Sequence, residues 1–212
     1  VIRERSSSAG QPRRISRPRQ ESAEFMKSSY TENNFGELLH ALVRVYKPMT
    51  CVELGCLEGY SSVHIAKALK ENGSGTLTII DLFEDYPFNS SDRTVLGENL
   101  AESQVAAYCT IVKGSAFEEA KRFADGSVDF LHVDISNDGE RLSEMFDVWT
   151  AKLKKQAIVL LEGGSEERDQ ITWMRQYKKQ PIREFFGSTT FAQNFEHFVF
   201  DPFPSITICK KR

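Results

Sequence analysis

The sequence predicts an α/β protein built on a doubly wound, mostly parallel sheet with helices on both faces. Three observations carry that prediction. Short β-branched or apolar runs alternate with segments whose apolar residues recur at helical spacing, and the alternation repeats five times, as parallel neighbours with helical crossovers require. Several of the runs end in a glycine or a carboxylate, at the strand end where such sheets gather ligand-binding groups. Beyond residue 180 the helical spacing disappears, which predicts an antiparallel addition at one sheet edge.

The elements follow in order. Phe35, Leu38, Leu39, Leu42, Val43 and Tyr46 fall on one helix face, ended by Lys47 and Pro48. Thr50–Leu54 reads as a strand. A helix from Tyr60 to Glu71 closes at Asn72 and Gly73, and the strand Thr76–Ile80 ends in Asp81. Residues 92–107 read as a helix opened by Ser91 and Asp92 as caps. Tyr108–Lys113 is a strand and Ala116–Phe123 a short helix. Ser127–Val133 is a strand ending in Asp134. Leu142, Met145, Phe146, Trp149 and Leu153 form the cleanest helical stripe. Ala157–Leu161 is a strand ended by Glu162, Gly163 and Gly164, and Glu166–Tyr177 is a helix. Ile182–Gly187, Phe195–Phe200 and Ser205–Cys209 read as strands with no helix between them.

Bulk properties narrow the class. The 212 residues suit one domain with an appended segment, and the net charge of −3 shows no overall bias toward polyanions. Residues 1–22 hold six arginines and two prolines with few apolar residues, so they read as a basic arm or tail before a single domain at 23–212. Cys51, Cys56, Cys109 and Cys209 lack C-x-x-C spacing and read as reduced thiols of a reducing compartment. The absence of a long apolar stretch or a signal-peptide pattern makes a cytoplasmic protein the expectation, with no membrane partner. The chain opens on Val1, which reads as a fragment or a trimmed product.

Residues just past the strands carry the candidate chemistry. Gly55 permits a sharp turn after the first strand, and Gly59 sits at the entry to a helix whose N–H groups can receive a carboxylate. Asp81 can accept both hydrogens of a ribose diol. Ser115 and Ala116 are small enough to leave room for a flat ring. A dinucleotide fingerprint would place a glycine at position 57, where this chain has Leu57, and Glu53 and Glu58 oppose a phosphate cradle. A nucleotide- or NAD-dependent enzyme is therefore a rival that the glycine spacing argues against.

The segment VELGCLEGYSSVHIAKAL, residues 52–69, resembles the first motif of class I methyltransferases, nearest the branch of catechol and small sugar and macrolide O-methyltransferases. VDFLHVD at 128–134 and IVLLEGG at 158–164 are similar to later strands of that branch, so the resemblance covers roughly residues 35–165. It implies a Rossmann-like sheet of seven strands with the last antiparallel, and methyl transfer from S-adenosylmethionine to a small-molecule acceptor. By the same resemblance Glu53, Gly55, Gly59, Tyr60 and Ser61 would hold the methionine end and Asp81 the ribose. Ser115 and Ala116 would border the adenine, and Asp134 would face the amino group. The segment 25–34 corresponds to one that covers the cofactor.

The pattern also departs from that branch. Many members hold a divalent metal with an acid after the fourth strand and an Asp-Asp or Asp-Asn pair after the fifth. Here Asp134 is present, but the pair reads Glu162-Gly163, so a metal is not favoured unless Asp138 or Glu140 completes the set. Asn137 stands where related sugar-modifying enzymes have a histidine base, and asparagine cannot take a proton. Asp134, Glu162 and His197 are the catalytic candidates, with His132 read as core or second to the site and His64 as facing away. Two further readings are a non-catalytic cofactor-binding module and an RNA methyltransferase using the arm, although the acidic body speaks against nucleic acid. A homodimer through the arm or the late strands is a further expectation.

Overall fold

The computed structural model describes residues 26–88, 91–201 and 203–212. The basic arm at 1–22 lies outside the described residues. Seven strands form one sheet: β1 (Thr50–Leu54), β2 (Thr76–Asp81), β3 (Cys109–Lys113), β4 (Val128–Val133), β5 (Leu153–Glu162), β6 (Phe195–Phe200) and β7 (Ile206–Lys211). Their order is β3-β2-β1-β4-β5-β7-β6. The first five are parallel, and β7 pairs antiparallel with both β5 and β6. So β6, at the edge, runs with the parallel set. The last strand in sequence, β7, is the antiparallel one, as expected, and it lies one place inside the edge strand.

Strand alternation divides the core between two faces. Cys51, Leu77, Ile79, Phe130 and Leu160 pack under α1 (Phe35–Tyr46) and α2 (Tyr60–Asn72). Val52, Leu54, Ile80, Leu131, Val133 and Leu161 pack under α4 (Gly139–Trp149) on the other face. The predicted stripe Leu142, Met145, Phe146 and Trp149 is buried, whereas Leu153 begins β5. The remaining long helix, α3 (Arg93–Glu102), is capped by Asp92, which accepts from Thr94 N at 2.7 Å and Val95 N at 3.3 Å.

The other departures have local causes. Ala116–Phe123 forms only a single 3₁₀ turn at Glu119–Arg122. The helix expected over 166–177 breaks into α5 (Glu166–Asp169) and α6 (Thr172–Gln176), because Ile171 is extended. Ile182–Gly187, expected as a strand, is the helix α7 (Ile182–Phe186), followed by α8 (Thr189–Asn194). The buried Asp169 carboxylate accepts from Ile182 N at 2.7 Å and Arg183 N at 3.4 Å, so a side chain thirteen residues earlier caps α7. Ile182, Phe185 and Phe186 are then buried, largely against α4 and α8. Among the described residues no helix is long and apolar enough to cross a membrane.

Candidate functional site

The connections reverse direction between β1 and β4, and the crevice beyond their carboxyl ends is where an open α/β sheet offers a ligand site. Backbone bonds carry the sheet past the strands here: Gly55 N donates to Ile80 O, Asp134 N to Leu54 O and Gly114 N to Asp81 O. A Cβ added to Gly55, which has φ +80°, would lie 2.0 Å from the Asp134 carbonyl oxygen. Glycine is thus required by the close approach of the β4 end, a cause distinct from the expected approach to a ligand. Gly59, at φ +91°, caps α2, and a Cβ there would meet Leu96.

The backbone N–H groups of Tyr60, Ser61 and Ser62 donate to no described residue; the first intrahelical bond of α2 is Val63 N to Gly59 O at 2.8 Å. Three free donors at the positive end of a thirteen-residue helix suit a carboxylate. Across the Gly55–Asp134 contact stands the half-buried Asp134 carboxylate, which accepts no hydrogen bond from any described residue. Burial and then the neighbouring Glu162 charge raise its pKa to about 7, against the lowering effect of His132 and Arg168. A carboxylate at the end of β4 and N–H groups at the start of α2 offer complements to the ammonium and carboxylate of an amino acid.

Glu53 has another place. It is fully buried, level with His132 on the adjoining strand, and both project toward the α2 face. Its carboxylate accepts from Ser61 Oγ at 2.5 Å, from Ser62 Oγ, and from His132 Nδ1 at 3.0 Å. A carboxylate only accepts, so His132 Nδ1 donates to it, and Nε2 pairs with the Tyr30 hydroxyl at 3.0 Å. Burial and then the charges of Asp134, Glu162 and Glu53 hold the Tyr30 phenol well above its ordinary pKa. Glu53 and the Ser61 side chain therefore bind each other and fix the first turn of α2. The Tyr60 ring also faces inward, 4.7 Å from the His64 ring, and His64 packs against Gly36 of α1. Burial lowers the His64 pKa to about 4.

Asp81 is engaged by its own loop. Oδ2 accepts from Cys56 N at 2.9 Å, and Oδ1 from Phe83 N at 2.6 Å and Ser91 Oγ at 2.5 Å. Ser115 Oγ accepts from Phe117 N at 3.3 Å, while the Ala116 carbonyl accepts from Trp149 Nε1 at 2.9 Å. The segment from Met26 to Asn34 crosses this edge: Lys27 N donates to Glu58 Oε2 at 2.9 Å, Tyr30 reaches β4, and Asn33 Nδ2 donates to Pro204 O at 2.6 Å.

At the end of β5, Glu162 is held by Arg168, whose Nε lies 2.6 Å from Oε1 and Nη2 2.8 Å from Oε2. Asn137 is fully buried and donates to Val133 O at 3.0 Å and Glu162 O at 2.9 Å, so its amide braces the β4 and β5 ends together. His197 does not join them. Its register partner on β7 is Cys209, which faces Val159, three residues short of Glu162 and two strands away, so roughly 10 Å separates them in each direction. It stacks on Phe186 at 4.6 Å and lines a cavity of about 340 Å³ with Phe195, Glu196 and Arg212. Sequence reasoning missed Arg168, Ser62, Ser91 and the link from Tyr30 to His132. Only the lone arginine in an acidic stretch six residues after Glu162 could have pointed to the first.

A seven-stranded sheet in this order, with a helix N-terminus and a free carboxylate at its switch point, defines an α/β ligand-binding domain of the Rossmann-like class. Residues 52–162, just over half of the chain, match the family model described as the methyltransferase domain, and the chain belongs to that family. No curated protein matches it. Among solved structures, a methyltransferase from Geobacter sulfurreducens is 16% identical over 95% of this chain and 90% of its own, with a TM-score of 0.63. An O-methyltransferase from Bacillus cereus in complex with SAH is 14% identical over 91% and 87%, with a TM-score of 0.68. The O-methyltransferase TomG from Streptomyces achromogenes, involved in tomaymycin synthesis and in complex with SAM, is 19% identical over 91% and 90%, with a TM-score of 0.65. At these identities the likeness is one of fold.

Proposed function

We propose that this chain transfers a methyl group from S-adenosylmethionine to an oxygen of a small molecule. The observation that carries the reading is the pairing of three free N–H groups of α2 with the unpartnered Asp134 carboxylate, a cradle for the amino-acid end of the donor. The Bacillus cereus and Streptomyces achromogenes structures, O-methyltransferases with SAH and SAM, support it. In this reading the N–H groups of Tyr60, Ser61 and Ser62 bind the donor's carboxylate, and Asp134 takes its ammonium. Asp81 binds the ribose, exchanging the Ser91 hydroxyl for the sugar's. Ser115 and Ala116 border the adenine. Glu53 and the Gly55–Gly59 turn hold the helix end in place.

When bound, the donor supplies a methyl group on a positively charged sulfur. The residues of the chain then have to align an oxygen in line with that methyl, and positioning of this kind can lower a barrier by about 7–11 kcal/mol in favourable intramolecular cases. The acceptor approaches across the edge between Asp134 and Glu162. Asp134 has two oxygens, enough for one ammonium hydrogen and the acceptor's hydroxyl proton. Glu162 orders the edge through Arg168. The unpaired state of all four cysteines supports the cytoplasm as the working compartment. Residues 23–212 form one catalytic domain in this reading, and the free edge strand β6, with Phe198 exposed, is the surface for a homodimer.

A second reading, cofactor binding without turnover, is favoured by one observation: the side chains of Asn137 and Glu162 are both occupied within the protein. Calorimetry with S-adenosylhomocysteine, then incubation with labelled S-adenosylmethionine and a panel of hydroxyl-bearing acceptors, tests both readings. Absence of heat would refute the cofactor assignment. Binding without label transfer to any acceptor would favour the second reading over the first.

A further inference from the structure

Glu162 and Asp134 bring two carboxylates to one end of the sheet, close enough for the Glu162 charge to raise the Asp134 pKa. Glu53 adds a third acid nearby, and such a cluster requires a compensating cation. A hard divalent ion would need several free oxygens in one shell. Both Glu162 oxygens are already taken by Arg168, in the two-point geometry that suits a guanidinium to a carboxylate. A metal placed on the same oxygens would also face the fixed positive charge of the guanidinium. Among the described residues no group of three His, Cys, Asp or Glu side chains is arranged to hold a metal. The donor set does not fit a divalent ion.

The local chain is shaped around the arginine instead. Ser165 Oγ accepts from Arg168 N at 3.1 Å and opens α5, which turns the side chain back over β5. Gly163 has φ +94°, and a Cβ there would lie 3.0 Å from Arg168 Cγ and 2.7 Å from Ile182 Cδ1. The glycine beside Glu162 is what admits the arginine stem. Arg168 is 5% exposed, its Nη2 also donates to Asn137 O at 3.1 Å, and its Cζ lies 6.0 Å from the Trp173 ring centroid. Its Nη1 and the Asn137 Oδ1 are both buried and, among the described residues, without a hydrogen-bond partner.

We propose that the Arg168 guanidinium is the resident cation of this site, standing where a divalent metal would otherwise neutralise the acids beside the reacting groups, and that methyl transfer here needs no metal. The inference deepens the proposed function and relies on it for the identity of the cofactor. Its metal arm is read without the cofactor, so the two can fail separately.

The test begins with the full wild-type chain, stripped with a chelator and titrated with magnesium, manganese or calcium. The melting temperature should move by no more than about 1 °C, since an ion that does not bind gives no linkage stabilisation. Affinity for S-adenosylhomocysteine should be the same within about twofold with or without the ions. The Arg168→Met variant keeps an unbranched stem beneath Gly163 but frees both Glu162 oxygens beside Asp134. It should melt lower and recover about 5–10 °C when manganese or calcium saturates the vacated oxygens. A wild-type chain stabilised by several degrees, or one that loses cofactor affinity on chelation, would overturn the proposal. So would a folded Arg168→Met variant indifferent to the ions. The wild-type measurements decide the matter even if the variant does not fold.

Discussion

Replacing Glu53 separates two roles that the sequence alone could not tell apart, direct binding of the ligand and support of the helix that binds it. The carboxylate receives three donors, the hydroxyls of Ser61 and Ser62 and the Nδ1–H of His132, in a site without solvent access. In Glu53→Ala the two hydroxyls can rotate toward other acceptors, but the imidazole is pinned by Tyr30 and its N–H is left unsatisfied. A buried donor without a partner costs about 1–3 kcal/mol, and the cavity from the lost side chain adds to it. The expected loss is about 3–5 kcal/mol, read as a fall in the urea midpoint at unchanged slope. Glu53→Gln keeps one acceptor oxygen and the volume, so the loss should be about 1–2 kcal/mol. Affinity for S-adenosylhomocysteine, measured by calorimetry, should stay within about threefold in Glu53→Gln, because the α2 N–H groups remain in place. A drop of about tenfold or more with little change in stability would mean that Glu53 touches the ligand, and the positioning argument would be wrong. Unchanged stability in Glu53→Ala would equally refute it.

Three further outcomes follow from the site. Asp81→Ala should weaken S-adenosylhomocysteine binding by at least about tenfold and lower stability by about 1–3 kcal/mol, since Cys56 N and Phe83 N lose their acceptor; calorimetry and denaturation read the two effects. The Asp134 pKa is raised to about 7, so between the ordinary carboxylate range and pH 7 the folded chain binds more protons than the unfolded one. Stability should therefore fall as pH rises through that window, by less than the full shift implies because the group is half-buried, and Asp134→Asn should flatten the slope. Gly55→Ala should destabilise by about 2–4 kcal/mol, combining left-handed backbone strain with displacement of the β4 end, and a thermal melt would show it.

The architecture was legible where a periodic pattern had no competitor. The stripe from Leu142 to Trp149 and the runs ending at Leu54, Asp81 and Val133 announced their own burial, and the edge residues of the site came with them. The sequence was opaque where a distant side chain decides the backbone. Ile182–Phe186 was expected as a strand although its apolar residues stand at i, i+3 and i+4, a run too short to decide, and Asp169 caps it into a helix from thirteen residues away. Position in a sheet has the same character. Glu53 and Ser61 were placed at the ligand because both follow a strand in a motif, but the β1–β4 register turns Glu53 toward His132 and the helix above it. His197 was a candidate base on the late strand Phe195–Phe200, and the pairing of β6 with β7 and of β7 with β5 sets it away from the β4 and β5 ends, a placement that only the strand order decides. Arg168 lay hidden among acids because its partner is six residues away across a pair of glycines.

The fit between Gly163 and Arg168 has a consequence for how such a sequence can change. A side chain at 163 would meet Ile182 Cδ1 at 2.7 Å and crowd the arginine stem at 3.0 Å, and an arginine removed alone leaves neighbouring acids unbalanced. Either replacement is harmful without the other, so ancestry has to pass through both together or through a weakened intermediate. In a collection of kindred chains the two positions should vary as a linked pair, glycine travelling with arginine.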